Sequence, residues 1–156
     1  MQTPRPDPYH PPDDDARAQA AALLRALHCA LATVAEGRPM ASRAAFLWVA
    51  GTGPTLLLSD LSDHARALRA DPRASLLVGE PGPKGDPLTH PRLTLSGRAG
   101  LADKDALAPA WAQARPKTRL YYDFTDFAVW RLMVEDATLI AGFGRAVRLG
   151  AADLPT

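Results

Sequence analysis

Between Ala30 and Ser59 three strand-forming runs, ALATVA, MASRAAFLWVA and TLLLS, are separated by two tight turns, EGRP and GTGP. Connections this short leave only antiparallel pairing for consecutive strands, so this part of the chain is committed to hairpins. The pattern recurs downstream. RASLLVGE and RLTLSGRAGLA read as two more strands, flanking PGPKGDPLTHP, a segment too rich in breakers for regular structure. FAVWRLMVE and ATLIAGFG read as a final adjacent pair, with a turn at Glu135 and Asp136. Six or seven strands with few helices predict a mainly β fold with flanking helices, of the β-barrel or α+β kind, and disfavour a doubly wound sheet.

Three helices interrupt this order. Asp13, Asp14 and Asp15 precede a run with Ala16, Ala20, Leu23, Leu24 and Leu27 at helical spacing, which predicts a helix from about Asp14 to Cys29. SDHARALRADP predicts a short helix capped by Ser62 and ended before Pro72, and ADKDALAPAWAQA a third that tolerates Pro109. Five prolines among the first twelve residues predict an extended, disordered arm over 1–12. One domain is then expected over 13–150, with 151–156 as a tail.

A chain of 156 residues, 47% of them hydrophobic, suits a single core. The formal charge of +1 gives no global attraction to nucleic acid or to an acidic membrane, so neither is expected as a partner. Arginine makes up 15 of the 18 basic residues, which suits bidentate phosphate or carboxylate contacts. The single cysteine, Cys29, fits a reducing compartment, and no signal or membrane-spanning run is visible; a cytoplasmic protein is expected. The histidines His10, His28, His64 and His90 lie far apart, away from acidic residues at ligand spacing, so no metal site is expected. There is no G-x-S-x-G elbow, P-loop, or G-x-G-x-x-G after a strand.

Two places carry local chemistry. Arg43 falls in a strand apolar on both faces, where a guanidinium is costly unless it meets an anion; the plain alternative is a place at a barrel end beside an acid. Ser59, Ser62, His64 and Arg66 cluster at the mouth of the short helix, where free amides, hydroxyls and a cation can hold a phosphate. Ser62 serves equally as a simple cap, and Asp60 and Asp63 would repel an anion if they pointed inward. Arg92, Thr94, Ser96 and Arg98 alternate with leucines, giving a polar face that lines a cleft or meets solvent. Tyr121, Tyr122, Phe124, Phe127 and Trp130 crowd into ten residues, suited to a core, an interface or contact with a flat ring.

Taken together, ALATVA, the strand bearing Arg43, LLLSDLSDHARALRADPRASLLV, PRLTLSGRA and GFGRA resemble the FMN-binding split-barrel family related to pyridoxamine 5′-phosphate oxidase. The order of these strings is most similar to the haem-utilisation (HugZ-type) branch, across roughly residues 14 to 150. The resemblance implies a six-stranded antiparallel split barrel that forms a homodimer with FMN at the interface. It implies that Arg43, Ser59, Ser62, His64 and Arg66 hold the flavin phosphate, that Arg92 approaches the ring, and that Phe127 and Arg145 complete the site from the partner chain.

Haem-degrading members carry a longer C-terminal part with a haem-ligating histidine, whereas no histidine follows His90 here. GFGRAVRL offers Arg145 without the histidine that the oxidases use, which disfavours vitamin B6 as substrate. The expectation is therefore an FMN-dependent oxidoreductase acting on a small molecule, in which the flavin supplies the redox chemistry and no catalytic residue stands out. Haem binding or degradation on the same fold is one alternative. A non-enzymatic flavin-binding module is another.

Overall fold

The computed structural model describes residues 7–156. Its strands are β1 (Tyr9–His10), β2 (His28–Ala35), β3 (Arg38–Val49), β4 (Gly53–Ser59), β5 (Arg73–Val78), β6 (Arg92–Leu101), β7 (Phe127–Ile140) and β8 (Ala146–Leu149). Helices α1 (Asp14–Leu23), α2 (Asp63–Ala70) and α3 (Lys104–Ala114) stand between them. In the order β7-β4-β3-β2-β5-β6 every neighbouring pair is antiparallel, and β6 pairs back onto β7, closing a six-stranded barrel. This is the expected fold.

The β2–β3 hairpin turns at Glu36 and Gly37, both with positive φ, the geometry that matches the twist of the flanking strands. Alternate residues then point inward, and Leu31, Phe46, Leu56, Leu76, Leu95 and Leu139 are fully buried in the barrel. Each such side chain contributes about 1.5–3 kcal/mol of burial. α1 closes one side with Ala16, Ala20 and Leu24. α3 covers part of the outer surface, where Leu107 and Trp111 meet Leu47, Leu57 and Val129. α2 spans the β4–β5 connection, with Ser62 as its cap: the Ser62 Oγ accepts from the Ala65 N–H at 3.3 Å. Pro109 lies inside α3, as expected.

Four expectations need correction. The first helix ends at Leu23, not Cys29, because His28 and Cys29 pair with Ala45 and Ala44 as the first residues of β2. The last two strands are one: Glu135 and Asp136 form no turn, and β7 runs through them with a register shift opposite Ser96 and Gly97. Beyond it lies an unforeseen strand, β8, paired with the end of β7. Part of the N-terminal arm and the tail are also built into the fold. Tyr9 and His10 pair in parallel with Ala146 and Val147, and Arg148 lies 4.4 Å from the Tyr9 ring. Leu154 is 6% exposed in the main core. The rest of the expected arm, 1–6, lies outside the described residues.

Among the described residues no helix is long and apolar enough to cross a membrane.

Candidate functional site

The corner where β4 enters α2 brings together most of the residues singled out for phosphate binding. Ser59 ends β4 opposite Phe127, and its Oγ donates to Asp126 Oδ2 at 2.8 Å while accepting from the Leu61 N–H at 3.2 Å. Ser62 Oγ donates to the Ser59 carbonyl at 2.6 Å. His64, one turn on, shares a 3.0 Å hydrogen bond between Nδ1 and Ser42 Oγ. Burial holds the His64 ring below the ordinary histidine pKa, a shift that nearby Asp63 opposes.

The charges of this corner are already matched. Arg66 is ion-paired with Asp63, and Arg69 with Asp60 at 2.7 Å. Arg43 is in neither pair. It is exposed rather than enclosed, because the outer face of β3 is open where Arg43 pairs with Ala30. The β3–β4 pairing ends at Ala45 and Leu57, two residues short of Arg43 and Ser59. A phosphate entering here would meet one uncommitted guanidinium and three carboxylates, Asp60, Asp63 and Asp126. The Ser59 and Ser62 hydroxyls are engaged within the chain, whereas the Arg66–Asp63 pair is solvent-exposed and held weakly.

Phe127 belongs to the same corner, its ring centroid 5.0 Å from Tyr121 and 6.2 Å from Phe124. Arg92 and Arg145 do not. Arg92 pairs with Ile140, at the opposite end of the 14-residue β7, and its Nη1 donates to the Leu88 carbonyl at 3.0 Å. Arg145 binds the start of α1, donating to Asp15 at 2.6 Å and to Asp13 at 2.7 Å. The polar face of β6 turns outward as read: Leu93 and Leu95 are buried, while Thr94 and Ser96 are half-buried.

A cavity of about 510 Å³ opens elsewhere, between the end of α1, the start of β2 and the exit of β5. Ala22, Leu23, Ala26, Leu27, Leu77 and Val78 form apolar walls, and Arg25, His28 and Glu80 are its ionisable groups. Gly79 lies in its wall with φ 111°; a Cβ there would stand 2.6 Å from the Pro91 carbonyl oxygen, so only glycine admits the returning loop. His28 Nε2 lies 2.9 Å from Glu80 Oε1. Nothing in the sequence announced this site. A helix drawn as far as Cys29 places His28 on the wrong element, and Glu80 is 52 residues away. Cys29 itself points into the barrel, and burial pushes its thiol up to about 12, so it is inert at neutral pH.

An apolar cleft with Arg25, His28 and Glu80 at its edge suits a largely apolar ligand that carries a few polar groups. Its volume lies within the usual range for such pockets, roughly 300–1,000 Å³.

The chain is similar to several known proteins. It is 30% identical over 134 residues to the haem oxygenase HutZ of Vibrio cholerae, covering 80% of this chain and 74% of that protein. To the chloroplastic non-canonical haem oxygenase HOZ of Arabidopsis thaliana it is 33% identical over 116 residues, which is 71% of this chain but 34% of the plant protein. A solved structure of a haem-binding protein from Mycobacterium smegmatis superimposes with a TM-score of 0.79 at 32% identity, covering 93% of this chain and 62% of that one. The pyridoxamine 5′-phosphate oxidase family matches residues 16–141, spanning the barrel from α1 to the end of β7. With that match over a closed six-stranded barrel, the chain belongs to the pyridoxamine 5′-phosphate oxidase family, alongside haem-utilisation relatives of the HutZ type.

Proposed function

We propose that this protein binds haem. The observation that carries the reading is the cavity beside α1, whose apolar walls meet Arg25, His28 and Glu80. Haem supplies iron-centred redox chemistry when bound, and the protein's part is to hold the macrocycle and exclude water. Ala22, Ala26, Leu27, Leu77 and Val78 offer the apolar contact, and Arg25 pairs with a carboxylate at the ligand's edge. The names of the two curated relatives and of the mycobacterial structure support the same ligand.

The test is a titration of the purified chain with haemin, followed in the Soret region, beside a parallel titration with FMN. A saturable Soret shift near one equivalent is expected. Free-haem absorbance throughout would overturn the reading. Adding a reductant in air then separates storage from turnover: a stable Soret band means binding alone, and its loss with formation of a linear tetrapyrrole extends the reading to haem degradation.

A flavin reading is favoured by one observation, the exposed Arg43 of β3, which makes no ion pair among the described residues. In it, two copies meet through the outer face of the barrel, where Ala30, Ala32 and Ala41 are exposed, and the second copy completes a site that one chain leaves short of cations. Protein that quenches added FMN, with Arg43→Ala abolishing the effect and sedimentation showing a dimer, would establish this instead.

A further inference from the structure

We infer that the loop from β5 to β6 is an acid-opened flap whose latch is the His90 ring. The ends of the loop touch, since a Cβ on Gly79 would stand 2.6 Å from the Pro91 carbonyl oxygen. Compact loops with touching ends are held together by their own side chains. Here residues 80–89 are exposed, and His90 is the half-buried residue among them.

The imidazole fills the loop from inside. Its Nδ1 accepts from the Gly82 N–H at 3.1 Å, and its Nε2 donates to the Lys84 carbonyl at 2.9 Å. A Cβ on Gly82 would stand 3.0 Å from His90 Cε1, so ring and backbone are in close contact. A carbonyl accepts only from a protonated nitrogen, and an amide N–H donates only to a bare one. The two bonds therefore coexist in one form of the ring, the neutral tautomer with its proton on Nε2. Protonation places a second proton on Nδ1, which then faces the Gly82 N–H, donor against donor. The Gly82 bond is lost, and the segment from Gly82 to Gly85 is left with the Lys84 carbonyl as its tie to the ring.

The other charged groups around the loop do not replace that bond. Asp86 accepts from the Leu88 N–H at 2.9 Å, starting a 3₁₀ turn over Pro87–Thr89, and Arg92 on β6 donates to the Leu88 and His90 carbonyls at 3.0 and 3.4 Å. These contacts hold the half of the loop next to β6. The β7–β8 connection comes close at Gly142, whose Cβ would stand 3.6 Å from the Thr89 carbonyl, and its Arg145 is tied to Asp13 and Asp15. Lys84 meets the ring through its carbonyl. At the start of the loop the response to acid has the opposite sign. His28 Nε2 lies 2.9 Å from Glu80 Oε1, with Arg25 lining the same cavity edge, and protonation of His28 turns the contact into an ion pair. Acid thus keeps Glu80 in place while it frees Gly82 to Gly85, and the movement is confined to the segment beyond Pro81, at the rim of the cavity. The device does not depend on what the cavity binds.

The test is amide hydrogen exchange read by NMR on the full chain at pH 7.5 and 5.5, each rate divided into the intrinsic rate so that the pH dependence of exchange itself cancels. At pH 7.5 the nitrogen-15 signals of the His90 ring should show a protonated Nε2 and a bare Nδ1, with the Gly82 amide protected. At pH 5.5 that protection should fall at least fivefold, while the amides of β5 and β6 keep theirs. His90→Ala should leave Gly82 unprotected at both pH values. His28→Ala should retain the wild-type change.

Equal protection of Gly82 at the two pH values in the wild type would overturn the inference. So would wild-type protection of Gly82 in His90→Ala at pH 7.5, or the same fivefold fall in that variant. Loss of the pH response in His28→Ala would overturn it as well, by moving the switch to the start of the loop.

Discussion

Gly97 in β6 lies against the backbone of Met133 in β7 so closely that a Cβ on Gly97 would stand 1.9 Å from the Met133 carbonyl oxygen. The cause is the bulge. Ser96 faces Asp136 and Gly97 faces Val134, so Glu135 is an extra residue on β7 and the two backbones close up around it. Gly97→Ala should therefore force the strands apart and destabilise the fold by about 1–3 kcal/mol, the range for overpacking. Gly100, three residues along the same strand, has no atom within 4 Å of its virtual Cβ. Gly100→Ala should stay within about 0.5 kcal/mol of wild type. Urea midpoints of the two variants measure this directly, and equal midpoints would refute the bulge as the constraint.

Ser62 separates a structural role from a ligand role at the α2 corner. Its Oγ accepts the Ala65 N–H and donates to the Ser59 carbonyl, so both capacities are used inside the chain. Ser62→Ala should cost about 1 kcal/mol through loss of the cap, and Ser62→Asp should recover most of it. Neither should change the affinity for haem or FMN by more than a factor of about 2. A tenfold loss of FMN binding in Ser62→Ala, with the cap restored by Asp but the affinity not, would assign the hydroxyl to a phosphate.

The hairpins β2–β3 and β3–β4 were legible because their determinants are local: alternating apolar residues and turns whose positive φ values fall on Glu36, Gly37, Gly51 and Gly53. The misread elements depend on distant partners. Leu24, Arg25 and Ala26 continue a helical pattern in composition, yet helix α1 stops at Leu23, and pairing with β3 draws His28 and Cys29 into a strand. Glu135 and Asp136 look like a turn, and only the facing Gly97 converts them into a bulge within β7. β8 is four residues long and gains its identity from the end of β7 and from Tyr9 and His10. The same distinction governs the site. The segment from Ser59 to Arg66 is contiguous and could be read, Asp63 included; Asp126, which accepts from Ser59, and the cavity formed by Arg25, His28, Leu77 and Glu80 are assembled only by folding.

His64 should make stability depend on pH in a known direction. Burial depresses its folded pKa below the ordinary 6.5, so on acidification the unfolded chain takes up this proton before the folded chain does. Above about pH 6.5 the group costs the fold nothing; as pH falls from there towards the folded value, stability is lost. Urea midpoints at pH 7.5 and 5.5 should thus fall more in wild type than in His64→Gln, which cannot protonate. Parallel losses in the two proteins would mean that His64 is solvated alike in both states.

Arg145 tests the clasp between the β7–β8 connection and α1 against the flavin role that the family resemblance implies. Its two Nη groups are committed to Asp15 and Asp13, and Asp13 also caps α1 by accepting from the Ala16 N–H at 2.8 Å. That backbone hydrogen bond, with Arg145 beside it, holds the Asp13 carboxyl below its usual range. The folded pKa being depressed, the clasp is present above about pH 3.8 and is lost as pH falls through the folded value. Arg145→Ala should lower the thermal midpoint slightly. The loss should shrink in high salt, because the pairs are exposed and screened. Helicity at the start of α1 should survive, since the Asp13 cap does not need the guanidinium. Affinity for haemin and for FMN should be unchanged. A variant with wild-type stability but tenfold weaker FMN binding would instead make Arg145 a ligand contact, with its pairing to Asp13 and Asp15 a resting state that the ligand displaces.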